Sequence, residues 1–309
     1  MFERVLYLYS KLIIAFRNKT LFQKLSLYAY SYFYVKYIII IGYIKLKNID
    51  KKIDLKRGFS DHRENLNHHK PKDKDIKRIL VAYKKAKIDQ INAKTEYQIK
   101  GNWKEWIEVN YKDLITLLDS SNISRLGSFL ENLFREQATI GTGGYDLHVK
   151  YKSLLGNFYI KYAWCKYRDI LKKNNIDLNN FDFPYIGNQT GIFHNESIFS
   201  IETLRHIYFA CSMKDLLENV KRPNIVEIGG GLGGQAYQSI KLIKKDLKYV
   251  NFDIPEVCVL VSYFLLSAFP DKNIRLYGEG KISLDEGENY DIGIFPAYSI
   301  DCLSNTSID

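Results

Sequence analysis

One stretch, residues 224–236 (NIVEIGGGLGGQA), limits what this chain can fold into more than any other. It runs from a short apolar segment through five glycines into residues 236–247, where apolar residues recur at helical spacing. Glycines let the backbone turn at positive φ and approach a ligand closely, because they carry no Cβ. A helix that follows directs its first N–H groups towards that ligand. This order of elements predicts a nucleotide-binding unit in a parallel α/β sheet.

Two acidic residues flank the turn and bear on the class of ligand. Glu227 lies within the predicted strand, and Asp253 ends a second predicted strand. Gly229, Gly231 and Gly234 fit the dinucleotide spacing G-x-G-x-x-G, and Asp253 could then bind a ribose. However, a carboxylate beside a pyrophosphate is electrostatically unfavourable, so Glu227 argues against NAD. The sequence G-x-x-x-x-G-K-[ST] does not occur, which argues against a P-loop nucleotidase.

The acid-first pattern E-x-G-x-G-x-G at residues 227–233 resembles motif I of S-adenosylmethionine-dependent methyltransferases. The resemblance implies that Glu227 orients the methionine end of the cofactor and that Asp253 accepts hydrogen bonds from both ribose hydroxyls. It also implies that the glycine turn packs against S-adenosylmethionine. The glycines concerned are Gly229, Gly230, Gly231 and Gly233.

Over residues 75–309 the chain resembles bacterial sugar O-methyltransferases. The stretches that carry this resemblance are KRILVAYKKAK (77–87), YQIKGNWKEW (97–106), LENLFRE (130–136), PYIGN (184–188), IVEIGGGLGGQAY (225–237) and NFDIPEVCVLVSYFLLSAFP (251–270). The resemblance implies methyl transfer to a sugar hydroxyl in the synthesis of surface polysaccharide or lipopolysaccharide. Because the family continues with a further strand, it also implies a chain truncated at its C-terminus, with an incomplete sheet, poor stability and no measurable transfer.

Methyl transfer requires a hydroxyl in line with the sulfonium methyl group, and a base that removes the hydroxyl proton. Residues 181–199 combine glycines and a proline with polar side chains, which indicates a substrate loop. Within it, His194 is the first candidate base, because the pKa of histidine lies near neutrality, and Glu196 is the second. A loop histidine that hydrogen-bonds locally explains His194 equally well, and the base could instead lie beyond residue 309.

The chain divides by composition into four parts. Residues 1–57 form a basic apolar N-terminal segment, and residues 58–74 form a polar linker. Helical spacing of apolar residues then predicts a helical cap domain over residues 75–180. Residues 181–309 are expected to form the Rossmann-like domain that binds the cofactor.

The N-terminal segment carries most of the net charge of +10. It holds twelve Lys or Arg and three acidic residues, a net charge of +9. Its most apolar run, residues 27–44, is interrupted by Lys36 and tyrosines, so an interfacial helix on an anionic membrane fits better than a transmembrane span. A helix packed on the rest of the protein fits equally well.

Four widely spaced cysteines without a C-x-x-C pair indicate a reduced, cytoplasmic chain without a disulfide framework or metal site. The His68-His69 pair is interpreted as solvated. We therefore expect a cytoplasmic protein that contacts a sugar or glycan acceptor, no nucleic acid, and the inner face of a membrane through residues 1–57. Two alternatives remain, namely an inactive cofactor-binding or membrane-associated protein and an NAD-dependent sugar-modifying enzyme.

Overall fold

A computed structural model of the chain describes residues 53–65, 67–284 and 287–303. Up to residue 173 the described chain is helical, as the spacing of its apolar residues predicts. The helices are α1 (Leu55–Gly58), α2 (Asp73–Gln90), α3 (Asn102–Asn110), α4 (Lys112–Ser120), α5 (Ile123–Glu131), α6 (Tyr145–Tyr151) and α7 (Leu154–Lys173). Short 3-10 turns lie at residues 95–97, 133–135, 137–139 and 178–180.

A small antiparallel hairpin and a long helix follow. The hairpin consists of β1 (Ile192–His194) and β2 (Ser197–Phe199). Its two connecting residues, Asn195 and Glu196, both have positive φ, which is the backbone of a type I′ turn. Helix α8 (Ile201–Leu216) then begins where Ser200 Oγ accepts a hydrogen bond from the N–H of Thr203 at 3.1 Å. Ser200 is therefore the N-cap of α8.

Four parallel strands form the main sheet. They are β3 (Asn224–Ile228), β4 (Lys248–Asp253), β5 (Ile274–Leu276) and β6 (Ile292–Pro296). Helix α9 (Gly234–Leu242) connects β3 to β4, and helix α10 (Pro255–Ala268) follows β4. The predicted parallel pairing of the first two strands is confirmed, with Glu227 opposite Asn251. The α/β architecture with a parallel sheet is therefore established.

The spatial order of the strands is β3-β4-β6-β5. In a doubly wound nucleotide-binding sheet the first strand lies between the second and the fourth. Here β3 lies at an edge of the described sheet, and β6 lies between β4 and β5. Ile228, at the end of β3, is 69% exposed, whereas every residue of β6 is buried. The described sheet thus shares parallel pairing with the Rossmann order but not the position of its first strand.

Residues from Lys52 onward belong to one compact unit, in which the helical region and the sheet share a hydrophobic core. In this core Ile79 and Tyr83 of α2 and Leu130 of α5 join buried residues of α9, α10 and the sheet. Phe183 stacks on Phe264 of α10, with 5.4 Å between ring centroids. The apolar faces of residues 76–138 are therefore buried in one core with the sheet, whereas those of α6 and α7 belong to a second core with α1, the β1–β2 hairpin and α8.

Part of the segment 58–74, predicted to be a linker, packs on the rest of the unit, although most of its described residues are exposed. His62 is only 7% exposed, and its N–H donates to Asn188 Oδ1 at 2.9 Å. The side chain of His68 is 1% exposed and lies 3.5 Å from Glu131 Oε1, which corrects its interpretation as a solvated residue. A polar composition did not mark a free linker here, because the backbone of His62 and the ring of His68 contact Asn188 and Glu131 of the compact unit.

The expected membrane segment lies almost wholly outside the described residues, which begin at residue 53. Of the helices in the described ranges, none has both the length and the apolar character needed to cross a bilayer.

Candidate functional site

The glycine turn joins β3 to α9 at the carboxyl edge of the sheet. Gly229, Gly231 and Gly233 have φ values of 78°, 59° and 78°, in the region that side chains with a Cβ rarely adopt. The N–H of Gly229 donates to the carbonyl of Phe252 at 2.8 Å, and the N–H of Gly233 donates to that of Gly230 at 3.0 Å. These bonds fix the turn against the end of β4.

Asp253, the last residue of β4, lies directly against this turn. Its Oδ2 accepts a hydrogen bond from the N–H of Gly231 at 3.2 Å, and its Oδ1 accepts one from the N–H of Ile254 at 2.8 Å. Burial raises the pKa of Asp253 to about 6, and the two backbone N–H groups oppose this shift. Each carboxylate oxygen retains a lone pair that could accept a hydroxyl group of a ligand.

Glu227 lies beneath the turn rather than at its outer surface. Its Oε2 accepts hydrogen bonds from Tyr249 Oη at 3.0 Å and from Asn251 Nδ2 at 3.4 Å. Burial raises the pKa of Glu227, while these two donors lower it. A Cβ at Gly230 would lie 1.8 Å from Asn251 Nδ2 and 2.7 Å from Glu227 Oε2. Glu227 and Asn251 therefore support the turn, and only glycine fits above them.

The other side of the turn is open. A Cβ built on Gly229 would meet no heavy atom within 4 Å. A ligand could therefore approach the Gly229 backbone on this side, beside the carboxylate of Asp253. An open glycine backbone next to a buried carboxylate fits the ribose and methionine parts of S-adenosylmethionine. The residues present thus fit this cofactor, with Asp253 nearer the turn and Glu227 in a supporting position.

A second glycine loop, residues 141–144, touches the first. Thr142 Cγ2 lies 3.3 Å from the position that a Cβ of Gly231 would occupy. A Cβ on Gly143 would lie 2.6 Å from Glu202 Cγ, so this loop also contacts α8. The sequence indicated this loop only through its G-T-G-G pattern. Its contact with the glycine turn could not be predicted, because it joins residues far apart in the chain.

Helix α8 presents Glu202 and His206, one turn apart, to the two glycine loops. The ring of His206 packs on Gly234, since a Cβ there would lie 2.5 Å from Nδ1. This Nδ1 is buried and has no hydrogen-bond partner among the described residues. Burial lowers the pKa of His206 to about 4, so its ring is neutral at physiological pH. Burial also raises the pKa of Glu202, and the neighbouring Arg205 opposes that shift.

The two predicted catalytic residues lie elsewhere, at the tip of the β1–β2 hairpin. His194 Nε2 lies 3.2 Å from Asn179 Oδ1, and its ring packs near Trp164. Glu196 is 82% exposed at its side chain and forms an ion pair with Arg57 at 3.2 Å. These partners, Asn179, Trp164 and Arg57, lie outside the glycine turn. The structure thus brings together the predicted cofactor residues but not the predicted bases.

The predicted substrate loop, residues 181–199, is mostly interior. Asn188, Gln189 and Thr190 are at most 2% exposed. Asn188 Nδ2 donates to Asn132 Oδ1 at 2.9 Å, and Arg135 Nε donates to the carbonyl of Asn188 at 3.2 Å. Asn188 thus connects this segment to the helices, so its polarity reflects buried hydrogen bonding rather than an open substrate loop.

In the part of the chain that the structure describes, no group of three His, Cys, Asp or Glu residues is placed to hold a metal ion. Comparisons with family models, with curated proteins and with solved structures find no match for the chain. The geometry of the glycine turn and its neighbours is therefore the basis for a functional proposal.

Proposed function

We propose that the chain binds S-adenosylmethionine at the carboxyl ends of β3 and β4 and transfers its methyl group to a sugar hydroxyl. The observation that carries the proposal is the hydrogen bond from Gly231 to Asp253, which holds a buried carboxylate against an open glycine turn. The proposal depends on this local unit, because the strand order of the whole sheet differs from the doubly wound order.

Asp253 would bind the cofactor through hydroxyl groups of its ribose. Two hydroxyls that donate to one carboxylate are each stabilised by the negative charge. Gly229 leaves room for the cofactor to approach the backbone, and Glu227 holds the turn in shape through Asn251. When bound, S-adenosylmethionine supplies an activated methyl group on a sulfonium centre. The carboxylates of Glu227 and Asp253 would stabilise the positive charge of that centre.

The acceptor hydroxyl requires a group that takes its proton near the glycine turn. Glu202 meets this requirement better than the predicted His194 and Glu196, because it contacts the loop that touches Gly231. A carboxylate whose pKa is raised by burial is also a stronger base than an exposed one.

NAD is the second candidate ligand, because a helix begins directly after the glycine turn and Asp253 could bind an NAD ribose. Glu227 opposes this alternative, because a pyrophosphate would lie close to a buried carboxylate. The third alternative is an inactive binding protein, which would hold the cofactor without transferring a methyl group.

Calorimetric titration of the purified chain with S-adenosylmethionine and, separately, with NAD distinguishes these candidates. We expect binding of S-adenosylmethionine only. Asp253→Ala should weaken that binding by about 1.5–3 kcal/mol for each hydrogen bond lost to the charged group. Asp271→Ala is the matched control, because Asp271 is an exposed aspartate outside the site. Binding of NAD alone, or equal affinity for S-adenosylmethionine in both variants, would contradict the proposal.

A further inference from the structure

Helix α2 carries an exposed row of alternating basic and aliphatic side chains. Lys77, Val81, Lys84, Ile88 and Ile91, here called the α2 stripe, follow one another at intervals of three or four residues. Residues with this spacing lie along one face of a helix. Val81, Ile88 and Ile91 are 68%, 64% and 79% exposed, although each is a large aliphatic residue.

The stripe has no part in holding α2 to the protein. The opposite face does so, through Ile76, Ile79, Leu80 and Tyr83, all of which are at most 6% exposed. A single exposed aliphatic residue needs no explanation, but several along one helix face indicate a surface that binds something. The stripe is thus a second apolar face on a helix whose first apolar face is already buried.

Helix α3 repeats this combination of exposed apolar and basic residues. Trp103 and Trp106 are 67% and 38% exposed, and Lys100 and Lys104 beside them are also exposed. Residues 77–104 together hold eight Lys or Arg and two acidic residues, and three of the basic residues, Arg78, Lys87 and Lys94, are paired with acids outside this range, which leaves a net charge of +3. Exposed tryptophan and lysine are typical of segments that lie at a membrane–water interface.

We propose that the α2 stripe binds the surface of an anionic lipid membrane. Its aliphatic side chains would enter the boundary between headgroups and acyl chains. Lys77 and Lys84 would extend their ammonium groups towards lipid phosphates while their methylene stems remain in apolar contact. The excess of basic residues complements an anionic lipid surface, and this charge favours a membrane over an apolar protein partner. The inference is independent of the proposed methyl transfer.

The test is co-sedimentation of the full chain with vesicles of phosphatidylcholine and phosphatidylserine, and with vesicles of phosphatidylcholine alone. We expect the parent to bind the anionic vesicles more tightly, and added salt to weaken that binding. A variant with Val81→Ser, Ile88→Ser and Ile91→Ser tests the aliphatic residues of the stripe. A second variant, Lys77→Ala with Lys84→Ala, should lower the partition coefficient by about thirtyfold, since each lysine near an anionic surface contributes about 1 kcal/mol.

Matched controls come from exposed positions outside the stripe. Leu216→Ser removes an aliphatic side chain that is 82% exposed on α8, and Lys221→Ala removes an exposed lysine. Both controls should bind anionic vesicles like the parent. Circular dichroism checks that each variant is folded. If the serine variant does not fold, vesicle binding by the lysine variant tests the proposal.

Three results would overturn the proposal. The first is failure of the parent to bind anionic vesicles, and the second is binding of both stripe variants as tight as that of the parent. The third result is a change of oligomeric state in the stripe variants with unchanged vesicle binding, which would identify a second copy of the chain as the occupant. All variants retain residues 1–52, so any vesicle binding by that segment is the same in each of them. A difference in binding between the parent and a stripe variant therefore comes from the stripe.

Discussion

The N–H of Gly231 donates a hydrogen bond to Oδ2 of Asp253 at 3.2 Å, although the two residues are 22 positions apart. The bond connects the middle of the glycine turn to the end of the neighbouring strand. It also helps to hold a carboxylate in a buried position, where its pKa is raised to about 6. The stability of the fold therefore favours the protonated carboxyl of Asp253, whereas the proposed ligand binding requires the ionised carboxylate.

Asp253→Asn should stabilise the protein at neutral pH. The folded pKa of about 6 exceeds the ordinary 3.8, so protonation of this carboxyl favours the fold. That contribution is complete below the ordinary pKa and is lost as the pH rises through about 6. The charged form then costs up to about 3 kcal/mol, and asparagine removes this cost. Because its NH2 group cannot accept the hydrogen bond of Gly231 or Ile254, loss of that bond offsets about 0.5–1.5 kcal/mol of the gain. Denaturant unfolding at neutral pH should show a gain that disappears in acid.

Binding of S-adenosylmethionine should weaken as the pH falls through about 6. Ribose hydroxyls donate to the ionised carboxylate, so protonation of Asp253 removes their acceptor. Calorimetry across this pH range measures the effect, with Asp253→Asn as the control. A similar loss of affinity in that variant would assign the pH dependence to another group.

Alanine at two neighbouring glycines should separate stability from binding. Gly230→Ala places a Cβ 1.8 Å from Asn251 Nδ2 and should destabilise the fold by about 1–3 kcal/mol through overpacking. Gly229→Ala meets no atom within 4 Å, so its cost is that of positive φ, about 1–2 kcal/mol. Its larger effect should be on cofactor binding, because its Cβ occupies the open side of the turn.

Unfolding and calorimetric titration of both alanine variants provide the check. If Gly229→Ala bound S-adenosylmethionine like the parent, the cofactor would not lie on the open side of the turn.

Lys87→Met should destabilise the protein strongly. Lys87 Nζ lies 2.8 Å from Oε1 of Glu256, a residue of α10 that is 1% exposed. Removal of the ammonium group leaves a buried carboxylate without its counter-charge, which costs about 3 kcal/mol. Lys85→Met is a control on the same helix, because the Lys85–Asp89 pair is more exposed and should contribute less than about 1 kcal/mol. Equal losses in both variants would show that burial of Glu256 does not matter.

Glu202→Gln should lower methyl transfer to a sugar acceptor by about a hundredfold or more, because it removes the proposed base. Affinity for S-adenosylmethionine should stay unchanged, since Asp253 and the glycine turn are intact. Glu218→Gln, at an exposed glutamate after α8, is the control for the same chemical change.

Transfer rates of Glu202→Gln and His194→Ala on the same acceptor decide between the two positions for the base. Loss of transfer only in His194→Ala would place the base on the hairpin, as the sequence predicted.

Part of the site could be predicted from local patterns in the chain. The apolar strand, the glycines at residues 229–234 and the acid at Asp253 lie within one β–α–β unit. A short crossover brings consecutive parallel strands side by side, so the pairing of β3 with β4 followed from their order alone. The helical character of residues 75–172 followed in the same way from the spacing of apolar residues.

Other features were decided only by tertiary structure. Polar composition could not distinguish a solvated loop from a buried hydrogen-bond network. Asn188 belongs to such a buried network, because its partners come from distant helices. The contacts of Thr142 with the glycine turn and of Glu202 with its loop join segments between 59 and 89 residues apart. The place of β6 between β4 and β5 is equally non-local. Hydrophobic periodicity determines which face of an element is buried, whereas the packing of those faces decides which distant residues meet.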